Sequence, residues 1–475
     1  MALAFATITA ANASEPAATP AMVLRGSLTG KDHKTWRLVP FEVPPGTTRI
    51  TVDFDYTTRD AHTTIDLGLR GPEGFRGWSG GNKRSFTVAA TDATPSYLPG
   101  PIQPGQWNLM LGIPNIRPGI EAEYTANIRF GHEFAGPVLR TEPGWYRGDL
   151  HMHTAHSDGS CLSRRQQRVP CPLFLTVQAA SSRGLDFIAI TDHNTTSHAD
   201  AIRELQPYFD DLLLIPGREI TTFEGHANLY GTLAPLDFRV GSIDVPNWNT
   251  LLANIARTGG LFSINHPIRP SGEECMGCGW TPKGEVDYTR VQAVEVVNGR
   301  DADTAYSGVG FWQHLLNQGY KLTAIGGSDT HDASNSIGAP TTVIYADMLS
   351  QPAIATAIRR GRVFVDVAGT HDRSLDLDAT LDGKTAHMGD TLTVPRGARV
   401  HFSGTVTAVA GGEVEVILDG ARTPLLKDPH INAPSKSFEF PWRSDGGRHW
   451  LRIDVRDPDG HLALVGNPVY LRANH

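Results

Sequence analysis

The sequence lacks an excess of positive charge, a long apolar run and internal repeats. Its 50 acidic residues outnumber the 42 basic ones, so the formal net charge is −8. This balance argues against non-specific binding to nucleic acid or to an anionic membrane. No apolar run beyond the N-terminal segment approaches the roughly 20 residues that a membrane-spanning helix needs. We therefore expect no stable nucleic-acid binding and no membrane span.

Cysteine is also scarce, and the four cysteines form two local pairs. Cys161 and Cys171 bracket the segment CLSRRQQRVPC, and Cys275 and Cys278 form a CMGC motif. Locally paired cysteines favour disulfide bonds in an oxidising compartment. Zinc is the alternative for CMGC, but structural zinc usually needs two such motifs. The spacing alone leaves the pairing open.

The N-terminal segment predicts export. Residues 2–10 are small and apolar, and the ANA at 11–13 has the form of a cleavage site, which predicts a signal peptide over residues 1–13. The basic residues that usually precede such a segment are missing, and a disordered alanine-rich tail is the alternative. The paired cysteines agree with a periplasmic or secreted protein.

Glycine and proline, in contrast, are abundant, with 49 and 32 residues. Placed between short apolar runs, they favour turns and β-structure. Residues 22–133 alternate polar and apolar side chains, as in TRITVDFDY, and predict an N-terminal β-sandwich. Residues 371–475 alternate similarly, as in GEVEVILDG, and predict an immunoglobulin-like β-sandwich. The length of 475 residues suits about three domains.

Residues 145–370 have a different texture. Short apolar runs such as LDFIAIT, HANLYG and GGLFSINHP resemble buried parallel strands. Segments such as LFLTVQAASSRG and TLLANIARTGG resemble helices that end in glycine, and SQPAIATAIRRGR resembles a later helix of the same kind. This alternation predicts an α/β region, either a barrel related to the (β/α)₈ architecture or an open wound sheet.

Metal-binding residue types occur where these predicted strands end. A barrel gathers its strand ends on one face, and side chains two residues apart on a strand share a face. Imidazole and carboxylate together suit several divalent ions. Each motif alone is weak evidence, but five in succession at five strand ends predict one site. The candidate ligands are His151, His153, Asp158, His193, Glu219, His226, His266, Asp329 and His331.

The order of these motifs resembles the PHP (polymerase and histidinol phosphatase) metallohydrolase superfamily over residues 145–335. The motifs are DLHMHTAHSDG, DFIAITDHN, PGREITTFEGHANLYG, SINHP and GGSDTH. The flanking β-regions, CMGCGW and NPVYL resemble its CehA/McbA-type branch. The resemblance implies a multidomain α/β plus β fold. A distorted (β/α)₇ TIM-like PHP barrel would lie between the two sandwiches and hold two or three divalent ions, Zn, Mn or Fe.

The resemblance also implies roles for single residues. The first ion would be held by His151, His153, Glu219 and Asp329. The second would be held by Glu219, His226 and His266, with Glu219 bridging, and the third by Asp158, His193 and His331. Some relatives carry histidine at the position of Asp158. The catalytic residues would be Asp192, His193, Glu219 and His331. Asp192 would orient His193 or a metal-bound water, and a helix N-cap is its alternative role.

Other polar residues near the motifs are candidates for substrate binding. The candidates are Arg218, Arg269 and Arg300, since arginine suits phosphate, although each could equally form a structural ion pair. Three further arginines, in the segment between Cys161 and Cys171, predict a basic flap for an anionic substrate; they are Arg164, Arg165 and Arg168. His156 lies outside the family pattern, and we expect it to face solvent.

The expected function is that of a divalent-metal-dependent hydrolase acting on ester bonds, with a phosphoesterase favoured. The alternative is a carbamate or carboxylic-ester hydrolase of the carbaryl-hydrolase type. That substrate needs an apolar pocket, for which the candidates are Phe223, Trp280, Phe311 and Trp312. A third class is a secreted binding protein in which the metal-binding region is only a scaffold. The substrate is a small molecule in the first two cases.

Overall fold

The computed structural model describes residues 21–131, 136–273, 275–333 and 336–473. The predicted signal peptide at 1–13 lies outside the described residues. The chain divides into two compact units, residues 1–141 and 142–475. None of the helices in the described ranges is both long and apolar enough to cross a membrane.

The first unit is built from antiparallel strands. They are β1 (Met22–Thr29), β2 (Thr35–Val43), β3 (Arg49–Tyr56), β4 (Thr64–Gly71), β5 (Gly74–Gly80), β6 (Ser85–Ala89), β7 (Gly105–Asn115), β8 (Glu121–Gly131) and β9 (Val138–Arg140). Eight of them form two four-stranded sheets, β1-β8-β3-β6 and β2-β7-β4-β5. Alternate side chains of both sheets enter one core, including Ile50 and Val52 of β3 and Trp107 of β7.

The second unit contains the remaining strands and all five α-helices of the described residues. Its strands are β10 (Gly144–Asp149), β11 (Ser160–Leu162), β12 (Arg168–Pro170), β13 (Phe187–Ile190), β14 (Leu213–Thr222), β15 (Gly225–Tyr230), β16 (Leu261–Ile264), β17 (Ala293–Asn298), β18 (Thr323–Gly327), β19 (Thr341–Ala346), β20 (Leu349–Ser350), β21 (Val363–Asp366), β22 (Ser374–Leu381), β23 (Lys384–His387), β24 (Thr391–Thr393), β25 (Arg399–Thr407), β26 (Glu413–Leu418), β27 (Ala421–Thr423), β28 (Ser435–Arg443), β29 (His449–Arg456), β30 (Leu462–Gly466) and β31 (Val469–Arg472). The helices are α1 (Leu173–Ser182), α2 (Ala199–Leu205), α3 (Trp248–Ala256), α4 (Val309–Asn317) and α5 (Gln351–Arg360).

The ends of α5 show why these helices form where they do. The side chain of Ser350 accepts a hydrogen bond from the amide of Ala353 at the N-terminus, and Pro352 lies in the first turn, where its missing N–H costs nothing. Gly361 ends the helix with a φ of 82°, a conformation that glycine adopts without strain. The predicted helix SQPAIATAIRRGR is therefore present.

The largest sheet of the second unit is mixed. Its main path runs β18-β17-β16-β15-β14-β13-β10-β19-β21-β30-β29-β26-β27. Strands β10, β13 and β14 are parallel neighbours, as are β16, β17 and β18. Strand β15 is antiparallel to both β14 and β16, and β19 is antiparallel to β10. A separate four-stranded sheet, β23-β22-β25-β28, shares a core with the far end of this path.

The predicted fold class, with a (β/α)₇ barrel at its centre, is therefore wrong. Such a barrel needs many helices, whereas strands make up 43% of the structure and five helices only 12%. Strand β14 leads to β15 through a two-residue turn, and β16 leads to β17 without an α-helix in the described residues. Short buried apolar runs look alike in parallel and antiparallel strands. HANLYG, predicted as a parallel strand, is the antiparallel β15.

Candidate metal centre

Neighbouring strands of the large sheet bring the candidate ligands together. His151 and His153 follow β10, His193 follows β13, His266 follows β16, and Asp329 and His331 follow β18; Glu219 lies in β14 and His226 in β15. The carboxyl ends of adjacent parallel strands meet at one sheet edge. The β14–β15 hairpin adds two ligands there, because it pairs Glu219 with Asn228 and His226 with Thr221. The mixed sheet therefore brings the candidate ligands together, and no barrel is needed.

The segment after β10 is held by a buried carboxylate. Asp149 accepts hydrogen bonds from the amides of His151 and Ser328 through Oδ1 and from the amide of Gly338 through Oδ2. Burial raises the pKa of Asp149 above its usual value. These bonds join β10 to the segments after β18 and before β19. They place His151 and His153, both fully buried, beside Asp329.

Glu219 is the centre of the cluster. Its side chain is only 1% exposed. The Oε1 atom lies 3.4 Å from Nε2 of His151, 3.4 Å from Nδ1 of His226 and 3.2 Å from Nε2 of His266. The Oε2 atom lies 3.4 Å from Nε2 of His153 and 3.0 Å from Nδ1 of His193. One carboxylate therefore faces five imidazoles, an arrangement suited to bridging two ions.

A second carboxylate completes the buried set. Asp329 Oδ1 lies 3.4 Å from Nε2 of His151 and 3.2 Å from Nε2 of His153. Four ligand atoms at about 2.1 Å from a tetrahedral ion would be separated by about 3.4 Å. The pairs around Glu219 and Asp329 match that separation. They form the compact groups His151–Glu219–His266 and His151–His153–Asp329.

Unsatisfied nitrogen atoms show that this set fits a metal ion. Nε2 of His151 and both ring nitrogens of His153 are buried, yet no hydrogen bond of suitable geometry reaches them from the described residues. A buried polar atom without a partner is costly. A divalent ion among these lone pairs would remove that cost. The donor set, imidazole with carboxylate, suits Zn, Fe or Mn.

A third group lies toward the solvent. Asp158 Oδ2 is 3.6 Å from Nε2 of His193 and 3.4 Å from Nε2 of His331. The ring of His153 stacks against each of the other two imidazoles, with centroids 4.3 Å and 4.2 Å away. The Asp158 side chain is 56% exposed and that of His331 is 38% exposed. This group is the most accessible part of the site.

The charges of the cluster shift its protonation states. Burial lowers the pKa of His193, but Asp158 and Glu219 outweigh it and raise this pKa to about 10. Burial also lowers the pKa of His151, yet Asp329, Glu295 and Glu219 together raise it well above its usual value. His153 differs, because burial dominates and lowers its pKa. Without a metal ion, the site therefore holds protonated imidazoles, and a bound ion must displace their protons.

The carboxylates respond in the opposite direction. Burial raises the pKa of Glu219, but the hydrogen-bonded histidines around it reverse this effect and hold its pKa well below the usual value. The pKa of Asp158 is likewise lowered, because His193 and His331 outweigh the cost of its partial burial. Both groups are thus ionised at neutral pH, as ligands of a divalent ion must be.

Sequence reasoning missed the residues that orient the ligands. Glu295 accepts from Nδ1 of His151 at 2.9 Å and from the backbone amide of His266 at 3.0 Å. Asn265 donates to Glu219 Oε1 at 2.9 Å, and Asn298 donates to Asp329 Oδ2 at 3.2 Å. Such outer partners fix the ring orientation of metal ligands. A signal was present, because Glu295 interrupts the otherwise apolar strand VQAVEVVNG.

Asp192 has other partners than predicted. Its carboxylate accepts from the amide and hydroxyl of Thr154 and from the hydroxyl of Ser157, and it lies 3.1 Å from Nδ1 of His198. The N-cap of α2 is His198. Asp192 therefore organises the turn after His153, and among the described residues neither the contact with His193 nor the N-cap is seen, whereas its role toward a metal-bound water stays a prediction. His156 is half-buried and contacts Ser197, outside the cluster.

The three arginines beside the motifs differ in their surroundings. Arg218 is buried, and alternation along β14 directs it away from the face of Glu219. Its guanidinium donates to the carbonyl of Ala234, and burial lowers its pKa to about 10. Arg269 forms an ion pair with Asp301 at 2.9 Å, whereas Arg300 is exposed. Arg218 and Arg269 thus have structural partners.

The predicted flap and aromatic pocket are placed as follows. Strands β11 and β12 form a hairpin that exposes Arg164, Arg165 and Arg168, but Cys161 and Cys171 are free thiols in it. Cys275 and Cys278 form a disulfide.

The candidate aromatics mostly belong to the core. Trp280 and Trp312 are buried in it and Phe311 packs against it, whereas Phe223 is 80% exposed.

Comparison with known proteins adds no assignment. No family model matches the sequence, and no curated protein is significantly similar to it. The motifs quoted above and the geometry of the cluster are therefore the grounds for a functional proposal.

Proposed function

We propose that this protein is a divalent-metal-dependent hydrolase of ester bonds, most readily a phosphoesterase. One observation carries the proposal: two carboxylates and three imidazoles converge, and two of these rings, His151 and His153, have buried nitrogens without a hydrogen-bond partner among the described residues. A structural cluster would satisfy these atoms internally. The motif order that resembles the PHP metallohydrolases supports the same activity and the same ions, two or three of Zn, Mn or Fe.

The buried residues would hold the ions. His151, His153 and Asp329 form one compact set, and His151, Glu219 and His266 form another. Glu219 would contribute to both sites, because its Oε1 faces His266 and its Oε2 faces His153. When bound, the ions would supply a nucleophilic water at neutral pH and neutralise charge on the reacting phosphoryl group. His226 would join the second set, since its Nδ1 lies 3.4 Å from Glu219 Oε1, whereas the nearby sulfurs of Cys275 and Cys278 are joined in a disulfide.

The exposed group would handle the proton of the leaving group. Nδ1 of His331 bonds to the backbone carbonyl of Asp329 at 2.9 Å, so the mobile proton sits on Nε2, toward Asp158 and solvent. Burial lowers the pKa of His331, but Asp158 and Asp329 outweigh it and raise this pKa above its usual value. An imidazolium at this position can protonate a leaving oxygen. A third ion bound there would supply positive charge in place of the imidazolium.

A second candidate, hydrolysis of an apolar carbamate or carboxylic ester, has one favourable observation. Large apolar side chains are exposed next to the ligands: Phe223 at the β14–β15 turn is 80% exposed, Met276 55% and Ile268 41%. The carbonyl of Met276 contacts His226, which places this side chain at the rim of the site. Exposed apolar groups beside a polar centre suit a substrate with an apolar leaving group.

The test is a parallel screen of the full chain. An aryl phosphate, a bis-aryl phosphate and an aryl carbamate are each supplied with Mn(II), Zn(II) or Fe(II). We expect turnover of at least one phosphate ester that disappears when the ions are removed. Turnover of the carbamate alone would replace the first candidate with the second. A protein that binds no divalent ion under any condition would instead support a scaffold role.

Single substitutions inside and beside the cluster test whether the activity resides there. His153→Ala and Glu219→Ala should each lower kcat by at least about a thousandfold, since they remove groups that act together on the reacting centre. His156→Ala is the control, because His156 lies three residues from His153 but outside the cluster. It should keep near-normal kcat. Equal activity in all three variants would refute the site.

Export completes the proposal. The apolar leader at 1–13 and the disulfide between Cys275 and Cys278 support a periplasmic or secreted enzyme. Fractionation of cells that express the full chain should recover the protein outside the cytoplasm, shortened at its N-terminus. A full-length cytoplasmic product would contradict export.

A further inference from the structure

The CMGC segment is packed tightly against the hairpin that carries two ligands. Gly277 has a φ of 79°, and a Cβ there would collide with the carbonyl oxygen of Thr222 in β14. A Cβ on Gly279 would likewise collide with the carbonyl oxygen of Arg269. The amide of Trp280 donates to the carbonyl of Pro267 at 2.9 Å. Both glycines are needed for this close approach.

Two carbonyls of this segment contact two histidines of the centre. Met276 O lies 3.2 Å from Nε2 of His226, and Cys278 O lies 3.1 Å from Nδ1 of His266. A carbonyl can only accept, so each of these ring nitrogens carries the proton. The opposite nitrogens face Glu219, so an ion bound there would displace any proton they carry and take their lone pairs. The segment selects different tautomers in the two rings, and both tautomers are the ones that bind an ion at Glu219.

The disulfide between Cys275 and Cys278 closes the segment that provides these carbonyls. The Cα atoms are 5.6 Å apart and three positions separate the cysteines. Cys278 is buried, Cys275 is half-buried, and Met276 between them is 55% exposed. A short ring that begins near solvent and ends against His266 connects the outside of the protein to its proposed metal centre.

We propose that the Cys275–Cys278 disulfide is a positioning clamp for His226 and His266, and that reducing it weakens divalent-metal binding at Glu219. This inference rests on the proposed metal centre. A dithiol reductant would break the S–S bond, each cysteine sulfur would gain a hydrogen, and the two thiols of the reductant would become its own disulfide. The freed segment would no longer hold Met276 O and Cys278 O against both rings.

The experiment compares metal affinity in oxidised and reduced full-length protein that has been stripped of ions. Mn(II) is the probe because thiolates prefer softer ions. Both proteins carry Cys161→Ser and Cys171→Ser, so that only one pair of cysteines responds to the reductant. Calorimetric titration should show that reduction, or the further pair Cys275→Ser and Cys278→Ser, weakens Mn(II) binding roughly 10- to 100-fold.

The outcomes separate the clamp from the metal centre itself. Equal Mn(II) affinity in oxidised, reduced and serine-substituted proteins overturns the clamp and leaves the metal centre standing. No Mn(II) binding to the oxidised protein refutes the metal centre and the clamp together. Reductant added to the Cys275→Ser, Cys278→Ser protein should change nothing, and a further loss there would also overturn the clamp.

A tautomer measurement distinguishes positioning from general loosening. In the metal-free, oxidised protein, titrated until both rings are neutral, ¹⁵N spectra of labelled histidines should show His226 protonated on Nε2 and His266 on Nδ1. Signals are assigned with His226→Gln and His266→Gln. Reduction should give mixed tautomers in both rings while His449, which contacts Asp419 and Asp445 far along the chain, keeps its state. Unchanged tautomers would overturn the clamp.

Discussion

Glu219 and the residues behind it show how single side chains define the proposed centre. Glu219 faces five imidazoles, and four of the candidate ligand rings have an acceptor on the outer nitrogen: Glu295 for His151, and backbone carbonyls for His226, His266 and His331. These acceptors fix which nitrogen carries the proton. We therefore expect metal binding at this centre to depend on these acceptors as well as on the ligands.

Glu295→Gln tests this at a residue that no metal-binding motif contains. The carboxylate accepts from His151 Nδ1, from the His266 amide and from Asn298. Glutamine offers one acceptor and turns an NH₂ group toward donors. We expect Mn(II) or Zn(II) affinity to fall roughly 10- to 100-fold by calorimetry.

The control for that variant is Glu415→Gln. Glu415 is also a buried carboxylate, but its partners are Arg422 and Arg456 in β26–β29. The Glu415→Gln variant should leave metal affinity unchanged even if it lowers the free energy of unfolding. A similar loss of affinity in both variants would show that the effect of Glu295 is not specific to the ligands.

At the scale of elements, the sequence predicted strands and helices better than their connections. The alternation in TRITVDFDY predicted β3 and its buried side chains, and LFLTVQAASSRG predicted α1. The predicted direction of β15 was wrong. This strand is buried on both faces, and such a strand has the same apolar sequence whether its neighbours are parallel or antiparallel. Most candidate ligands do follow strand ends as predicted, but Glu219 and His226 lie within β14 and β15.

The partners of Asp192 and the role of Asp149 were beyond sequence reasoning for a related reason. Asp149 bonds to amides at Ser328 and Gly338, more than 170 residues away. No local pattern encodes such contacts. Likewise, the Asp192 carboxylate turned out to hold Thr154 and Ser157 rather than His193. Long-range polar contacts require the fold, and the fold class had been predicted wrongly.

Asp149→Ala tests the element that joins β10 to the segments after β18 and before β19. Three buried amides would lose their acceptor, and each such loss costs about 1–3 kcal/mol. We expect the free energy of unfolding of the second unit to fall by about 3 kcal/mol or more, measured by urea denaturation. Asp211→Ala, at an exposed turn, is the control. A change below about 0.5 kcal/mol, typical of surface substitutions, would contradict this role of Asp149.

For the whole molecule, metal binding should be linked to proton release. The pKa of His193 is raised to about 10 and that of His151 is raised as well, so both rings hold protons at pH 7 in the metal-free protein. A raised pKa stabilises the protonated, metal-free form below pH 6.5, and this stabilisation is lost as the pH rises toward 10. Metal affinity should therefore increase with pH over this range.

The measurement is titration calorimetry at pH 7 in buffers with different enthalpies of ionisation. The binding enthalpy should vary with the buffer, corresponding to the release of at least about one proton per chain. Asp158 and Glu219 contribute no protons, because their lowered pKa values leave them ionised. His156→Ala should give the same result as the unchanged protein. Proton uptake, or no dependence on the buffer, would contradict these protonation states.

The most direct test of the central claim is anomalous X-ray diffraction from crystals of the full chain soaked in Mn(II) or Zn(II). We expect a peak within about 2.0–2.2 Å of Nε2 of His151 and His153 and of a carboxylate oxygen of Glu219 or Asp329. A second peak is expected beside Glu219 and His266. Soaked crystals with no anomalous peak at Glu219, or with peaks only elsewhere on the chain, would contradict the proposed metal centre.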